Sequence, residues 1–462
     1  MSPVLDVAIR GGRVVTADRQ WNADIGIRDG IIVSLGDSVA KATLEIDATG
    51  RHVLPGGVDA HTHIDQRSST GLHTADDFTS ASRSAAAGGT TTVLSHVAQH
   101  RGDSLREVTD AYAARAARDA VIDYAFHLIV SDPTDAVLRD ELPDLIAAGH
   151  KSLKLFMTYE KIRLTDAQML AVMEVAREHG ALPIVHAEHH EAIQWLTQRL
   201  LAEGKTSPRW HVAARPELVE REAVHRACMF AELLGVPLMV FHVSGAQVLD
   251  EIRRARLRGV TVHAETCPQY LAFTADDLAH DTFDMAKLMF SPAPRDHAAQ
   301  AALWAALADG TLDVFSSDHA PYRFDDDQGK KAFGADAPFS RIPNGVPGLA
   351  MRMPFLISEG VHGGRLSLER AVALGCTVPA AIYGLAPRKG TIAIGGDADV
   401  VVWDLDREVT VTQAMQHDRM DYTPYEGRRI RGWPQITLSR GEVVHRDGAP
   451  CGEPGRGRLL LR

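Results

Sequence analysis

Cysteine is scarce in this chain of 462 residues: there are four, Cys228, Cys267, Cys376 and Cys451, far apart and without a CxxC pair. Neither a thiolate zinc site nor a disulfide framework fits that spacing. Positive charge is short as well, with 49 Lys+Arg against 60 Asp+Glu and a formal charge of −11. A nucleic-acid backbone or an anionic membrane needs a basic surface, so neither is expected as a partner. Long apolar runs are also missing. No stretch reaches the ~20 apolar residues of a membrane helix, and the N-terminal MSPVLDVAIR has neither the basic start nor the apolar stretch of a signal peptide. A soluble, cytoplasmic protein is the expectation. What is present is an ordinary globular composition, 45% hydrophobic, which excludes disorder, collagen and coiled coil. The length fits two or three domains, or one large barrel with an accessory unit. Two features stand out: 22 His, and few Lys among the basic residues.

Both ends of the chain read as short strands and turns. VLDVAIRGGRVVTA alternates around a Gly-Gly turn, ADIGIRDGIIVSLG forms a hairpin around Asp29-Gly30, and ITLSRGEVVHRDG another around Arg440-Gly441. Residues 1–54 and 386–462 are therefore expected to build one small β-sandwich from both termini, with the C-terminal tail in subunit contacts. Residues 55–385 differ. Eight apolar runs (VLPGGVDAHTHI, TTTVLSHV, IDYAFHLIV, SLKLFMTY, LPIVHAE, PLMVFHVS, VTVHAETC and LDVFSSDHA) alternate with segments of helical period. Two such segments are SLREVTDAYAARAARDA and TDAQMLAVMEVAREHG, the latter capped by Thr165 and stopped at Gly180. This predicts an α/β fold, a parallel (β/α)8 TIM barrel. A doubly wound sheet competes, but no GxGxxG turn follows the first strand. The stretch DDDQGKKAFGADAPFSRIPNGVPG after the eighth strand would lie on the catalytic face, as a lid or substrate loop.

In such a barrel the reacting groups sit at the C-terminal strand ends. Those ends carry His61 and His63 on the first strand, Lys154 in the fourth, His186 on the fifth, His242 on the sixth and Asp318 on the eighth. An HxH pair alone is a weak signal, although strand alternation does place both rings on one face. His186 and His242 taken singly are as compatible with packing as with ligation, and His96, His127 and His263 are assigned to packing. Asp318 after the apolar VFSS needs a metal or a cationic partner. Lys154, inside SLKLFM, is the most informative residue. A buried ammonium is costly, burial favours the neutral amine, and such an amine can add CO2 to form a carbamate able to bridge two metal ions. An ordinary lysine pairing with Asp318 is the alternative.

Taken together, the segments PGGVDAHTHID, KSLKLFMTY, VHAE, FHVS, AETCPQYL, FSSDHA, IPNGVPG and KGTIAIGGDADVVVWD resemble the amidohydrolase superfamily, and within it the cyclic amidohydrolases of the hydantoinase/dihydropyrimidinase group. The resemblance spans residues 55–404, with further similarity at both ends. It implies two divalent metal ions, with zinc the default and manganese or cobalt also suited. His61, His63 and Asp318 would hold one ion, His186 and His242 the other, and N6-carboxylated Lys154 would bridge them. It also implies that Tyr159 hydrogen-bonds the carbonyl oxygen, that the main chain at Ser291 and Asn344 holds the ureide edge of the ring, and that Asp318 moves the proton. The implied reaction is hydrolysis of a cyclic ureide or imide by a hydroxide held between the metals, giving an N-carbamoyl amino acid, in a homotetramer or homodimer.

Asp65 occupies the place where dihydroorotase-like chains carry an arginine, with Arg67 nearby but off register, and Tyr159 is a residue that allantoinase-like chains usually lack. Hydantoins or dihydropyrimidines are therefore expected ahead of allantoin, dihydroorotate, other imides or linear amides. His189-His190 and Ala350 depart from the group's pattern, which has Asn-Gly and an acidic residue there. A metal-free scaffold protein related to dihydropyrimidinase, or a mononuclear deaminase, is the reading from another class. All six ligand positions being filled argues against both.

Overall fold

The computed structural model describes residues 4–462, so the first three residues of the N-terminal segment lie outside it. Strands β1 (Leu5–Val15), β2 (Gln20–Arg28), β3 (Ile31–Gly36), β4 (Ala42–Asp47) and β5 (His52–Pro55) come first. Strand β1 is unbroken, and the Gly-Gly turn expected within it is a bulge. The register to β2 shifts between Ile9 and Gly12, the first half of β1 pairs with β4, and the second half pairs with β5. Gly11 sits at φ +67, which glycine adopts without steric cost. The hairpin of β2 and β3 around Asp29-Gly30 forms as expected.

Strand β5 ends at Pro55 and β6 (Gly57–Thr62) begins the barrel. The run VLPGGVDAHTHI, expected as one strand, is thus divided at Gly56 between two sheets. A side chain there would collide with Thr91. The barrel continues through β7 (Thr90–Ala98), β8 (Asp123–Ile129), β9 (Ser152–Phe156), β10 (Leu182–His186), β11 (Leu238–Val240), β12 (Val262–Thr266) and β13 (Val314–Phe315). Neighbours in sequence are neighbours in space, all parallel. At the mouth a bridge between Thr62 and His319 brings the two ends of the sheet together. Strands β14 (Val400–Thr410), β15 (Arg429–Ser439), β16 (Glu442–Arg446) and β17 (Ala449–Pro450) then join β1–β5 in one sheet built from both termini. Its apolar core includes Ile9, Ile25, Val53, Val400 and Leu438.

Alternation along the strands sets the site. Leu94, Ala125, Ile184 and Met239 line a buried layer inside the barrel, closed from below by Tyr383 and Leu460. Two residues further along the same strands, on the same face, come His96, His127, His186 and Phe241. The helix Asp166–His179 shows why the intervening segments are helical: Thr165 and Gln168 form a capping box, and Gly180 ends the helix in the left-handed region. The tail runs back along β8 of its own chain, where the Leu460 N–H donates to Tyr124 O at 2.7 Å. The loop after β13 is tied down. Buried Lys330 donates to the carbonyls of Pro343 and Gly345, each at 2.7 Å, and Phe339 and Ile342 pack with Leu278 and Met289.

Candidate metal centre and substrate site

The mouth of the barrel gathers all six expected ligand positions. His61 Nε2 and His63 Nε2 lie 3.0 and 3.3 Å from the same Asp318 oxygen. The His61 and His242 rings are 5.5 Å apart, and those of His242 and His186 4.5 Å. Lys154 enters between them from β9, with Nζ 4.1 Å from the Phe241 ring centre. Backbone strain is concentrated here. Tyr159, His242 and Asp318 all have positive φ, at 70°, 41° and 48°. A non-glycine residue in that region costs roughly 1–3 kcal/mol and persists only where its surroundings impose it.

The donor set fits metal ions. His61 Nδ1 is 2.7 Å from Glu265 Oε1, and His63 Nδ1 is 2.7 Å from Gln66 Oε1. With Nδ1 of each ring engaged by a second residue, each Nε2 is left facing the same Asp318 oxygen. Two imidazole nitrogens and a carboxylate oxygen thus converge on one point, a donor set that suits a divalent cation. Lys154 Nζ and His242 Nδ1 are buried without a hydrogen-bond partner among the described residues. Burial holds the His61 and His242 imidazoles well below their ordinary range and brings the Lys154 ammonium down to about 7. Burial pushes Glu265 well above the usual carboxylate range. Neutral bases beside buried carboxyls make the whole cluster short of positive charge.

The substrate-side residues also converge. Tyr159 follows β9, its ring 5.2 Å from that of His186. Burial raises the Tyr159 hydroxyl, while Arg215 and the neighbouring Ser291 and Asn344 side chains act against that rise. A neutral phenol beside His186 is a hydrogen-bond donor at the mouth.

Amidohydrolases are the family whose sequence pattern matches this chain, over residues 52–444. The D-hydantoinase of Rhizobium radiobacter is 42% identical over 463 residues, covering 99% of each chain. A solved D-hydantoinase superposes with a TM-score of 0.96 at 41% identity, covering 99% of both chains. The dihydropyrimidinase of Brevibacillus agri superposes at 0.95 with 40% identity, covering 98% of both. The chain belongs to the amidohydrolase family. Members of this family generally bind metal ions, in keeping with the donor set at the mouth.

Several residues of this amidohydrolase site were not singled out from its sequence. Glu265 orients His61. Glu188 Oε2 is 2.7 Å from His186 Nε2 and 2.5 Å from Arg215 Nη1, and the Arg215 guanidinium lies over the Tyr159 ring at 5.3 Å. Burial alone would raise Glu188, but Arg215 and His186 hold it down to about 2. The available signal was a carboxylate inside each of two buried segments, HAE and AETC, which no apolar core accepts unpaired. His96, expected only to pack, stacks on His63 with ring centres 4.6 Å apart. One of its ring nitrogens lies within 4.8 Å of one nitrogen each of His61 and His63. His127 does pack, with both nitrogens bonded, to Ser152 Oγ and Ala60 O.

The departures from the group pattern fall in different places. His189 caps the helix His190–Ala202 by accepting from the Ala192 N–H at 3.3 Å. Ala350 is fully buried against Gly88, at the barrel's other end. Asp65 is engaged by Arg115 at 2.6 Å.

Proposed function

We propose that this amidohydrolase opens the amide bond of five- or six-membered cyclic ureides, hydantoins or dihydropyrimidines, to N-carbamoyl amino acids. The observation that carries the reading is the Tyr159 hydroxyl, faced by Ser291 and Asn344 and set beside His186 in a six-donor mouth. In this reading the barrel of residues 55–385 supplies the chemistry. His61, His63 and Asp318 would hold one divalent ion and His186 and His242 a second, with Lys154, as its carbamate, a shared anionic ligand; zinc would be the default metal, with manganese or cobalt also suited. A buried amine brought down to about 7 has a substantial share, about half, in the neutral form that adds CO2 near neutral pH. Bound ions would lower the pKa of a water and polarise the amide carbonyl.

The chain's own residues do the rest. Ser291 and Asn344 hold the ureide edge and so fix which carbonyl faces the mouth. Tyr159 donates to the carbonyl oxygen as negative charge develops. Asp318 accepts the proton of the attacking water and returns it to the departing ring nitrogen. Dihydroorotate is disfavoured because Asp65, already paired with Arg115, offers its carboxylate no cation.

A homodimer or homotetramer is part of the proposal. Trp195, Leu218, Met229, Leu233 and Leu257 are exposed on neighbouring outer helices. No helix among the described residues is long and apolar enough to cross a membrane. All four cysteines are free, which fits a reducing, cytoplasmic setting. The test is ring opening of dihydrouracil, 5-phenylhydantoin, allantoin and dihydroorotate in parallel, with metal and bicarbonate supplied. Turnover of either of the first two, lost in Lys154→Ala, supports the reading. Silence on both overturns it.

A further inference from the structure

We propose that His190 is a positioning residue for Tyr159, gripping the residues on either side of it. This rests on Tyr159 being the donor to the reacting carbonyl. His190 opens the helix His190–Ala202, and its ring is buried. Its Nδ1 lies 3.3 Å from Thr158 Oγ1, and its Nε2 lies 2.9 Å from Glu160 Oε2. Tyr159 is the residue between those two partners, and it carries the left-handed backbone at φ 70°. A bulky aromatic has no intrinsic preference for that conformation, so neighbouring contacts must impose it.

The grip extends further into the same turn. Tyr159 O accepts from the N–H groups of Ile162 and Arg163, both at 2.9 Å. Arg163 reaches back to Glu160 at 3.3 Å and across to Glu191 at 3.4 Å. The turn bearing Tyr159 is thus stapled to the first residues of the helix that follows His186 and Glu188. Of these contacts, the two made by the imidazole alone flank Tyr159 on both sides. A glycine at position 190, as in the pattern this chain departs from, would make neither. The His189-His190 departure therefore acts on the orientation of the tyrosine and leaves the metal ligands untouched.

The experiment is a double-mutant cycle on the metal-loaded enzyme, with 5-phenylhydantoin and dihydrouracil as probes. His190→Gly should lower kcat about tenfold with KM changed less than about twofold, because misorienting one donor costs the transition state and not substrate binding. Metal content per chain should be unchanged. His190→Asn should recover part of the loss, and Thr158→Val should reproduce part of it in a chain that keeps His190. In a Tyr159→Phe background, read at high enzyme concentration, His190→Gly should have little further effect. A full tenfold loss in that background, or wild-type kcat in both His190→Gly and Thr158→Val, overturns the inference while leaving the reading of the site intact. Wild-type kcat in Tyr159→Phe alone overturns both.

Discussion

At the mouth of the barrel Lys154 is buried with no hydrogen-bond partner, whereas at its base Lys389 is buried among three aspartates. The base lysine sits 2.7 Å from Asp123 and 2.9 Å from both Asp397 and Asp399, with Arg440 adding a second cation to Asp123. Burial is the same in both places, and the consequences are opposite. Desolvation brings Lys154 down to about 7. At Lys389 the same penalty is outweighed by Asp399, Asp123 and Asp397, which raise it above its ordinary 10.5. The base network ties the start of β8 to the terminal sheet, so its charges are matched within the fold. The mouth is left unmatched, and groups whose needs the protein does not meet are those available to a ligand.

Removing each lysine should separate the two regions most sharply. Lys154→Met should lower kcat/KM by about a thousandfold, about 4 kcal/mol in the barrier, and reduce bound metal. The metal-free protein should melt no lower than its parent, because an unpartnered buried amine is replaced by an apolar side chain of similar size. Assay, metal analysis and calorimetry together check this.

Lys389→Met should do the reverse. It leaves three buried carboxylates short of a cation, a loss of about 3–5 kcal/mol in stability, read from the denaturant midpoint, with kcat per folded molecule unchanged. The sign of the pH effect follows from the raised pKa. The stabilisation is fully present below 10.5 in the parent and is lost as pH rises through the folded-state value, so the parent alone should soften above pH 10.5.

A third variant works between His186, a proposed metal ligand, and the tyrosine. Arg215→Met releases both Glu188 and the Tyr159 ring and should lower activity by roughly 10–100-fold, with weaker metal retention. Glu188, held down to about 2 from an ordinary 4.5, contributes stability that is present above pH 4.5 and lost as pH falls towards 2. Thermal melts across that acid window should flatten in Glu188→Gln. The smallest effect is expected at Asp65→Ser, which breaks a half-exposed pair with Arg115 worth under about 1 kcal/mol. Turnover of dihydroorotate by that variant would sink the account of why this substrate is excluded.

The comparison also shows which features could be read before folding. Lys154 was legible because an amine inside SLKLFM breaks an apolar pattern. Lys389 was not, because its partners Asp123, Asp397 and Asp399 come from both the barrel and the terminal sheet. His96 and His127 are both strand histidines two residues beyond an interior apolar residue, and nothing local separates them. Contacts from other strands do: Ser152 and Ala60 bond both nitrogens of His127, while His63 stacks on His96. The bulge at Gly11-Gly12 looked like a turn because two glycines permit either. Pairing with β4 on one half and β5 on the other keeps the strand running.

By itself the sequence determined the eight alternating strands, the polar residues at their ends and the chemistry those residues favour. These follow from hydrophobic period and from the cost of burying a charge, both properties of short segments. The tertiary structure alone decided which carboxylate orients which imidazole, that Arg215 joins Glu188 to Tyr159, and that His190 flanks the strained turn. Those relations join residues far apart in the chain. Their strength depends on distance and on the exclusion of water, and both are set only when the barrel closes.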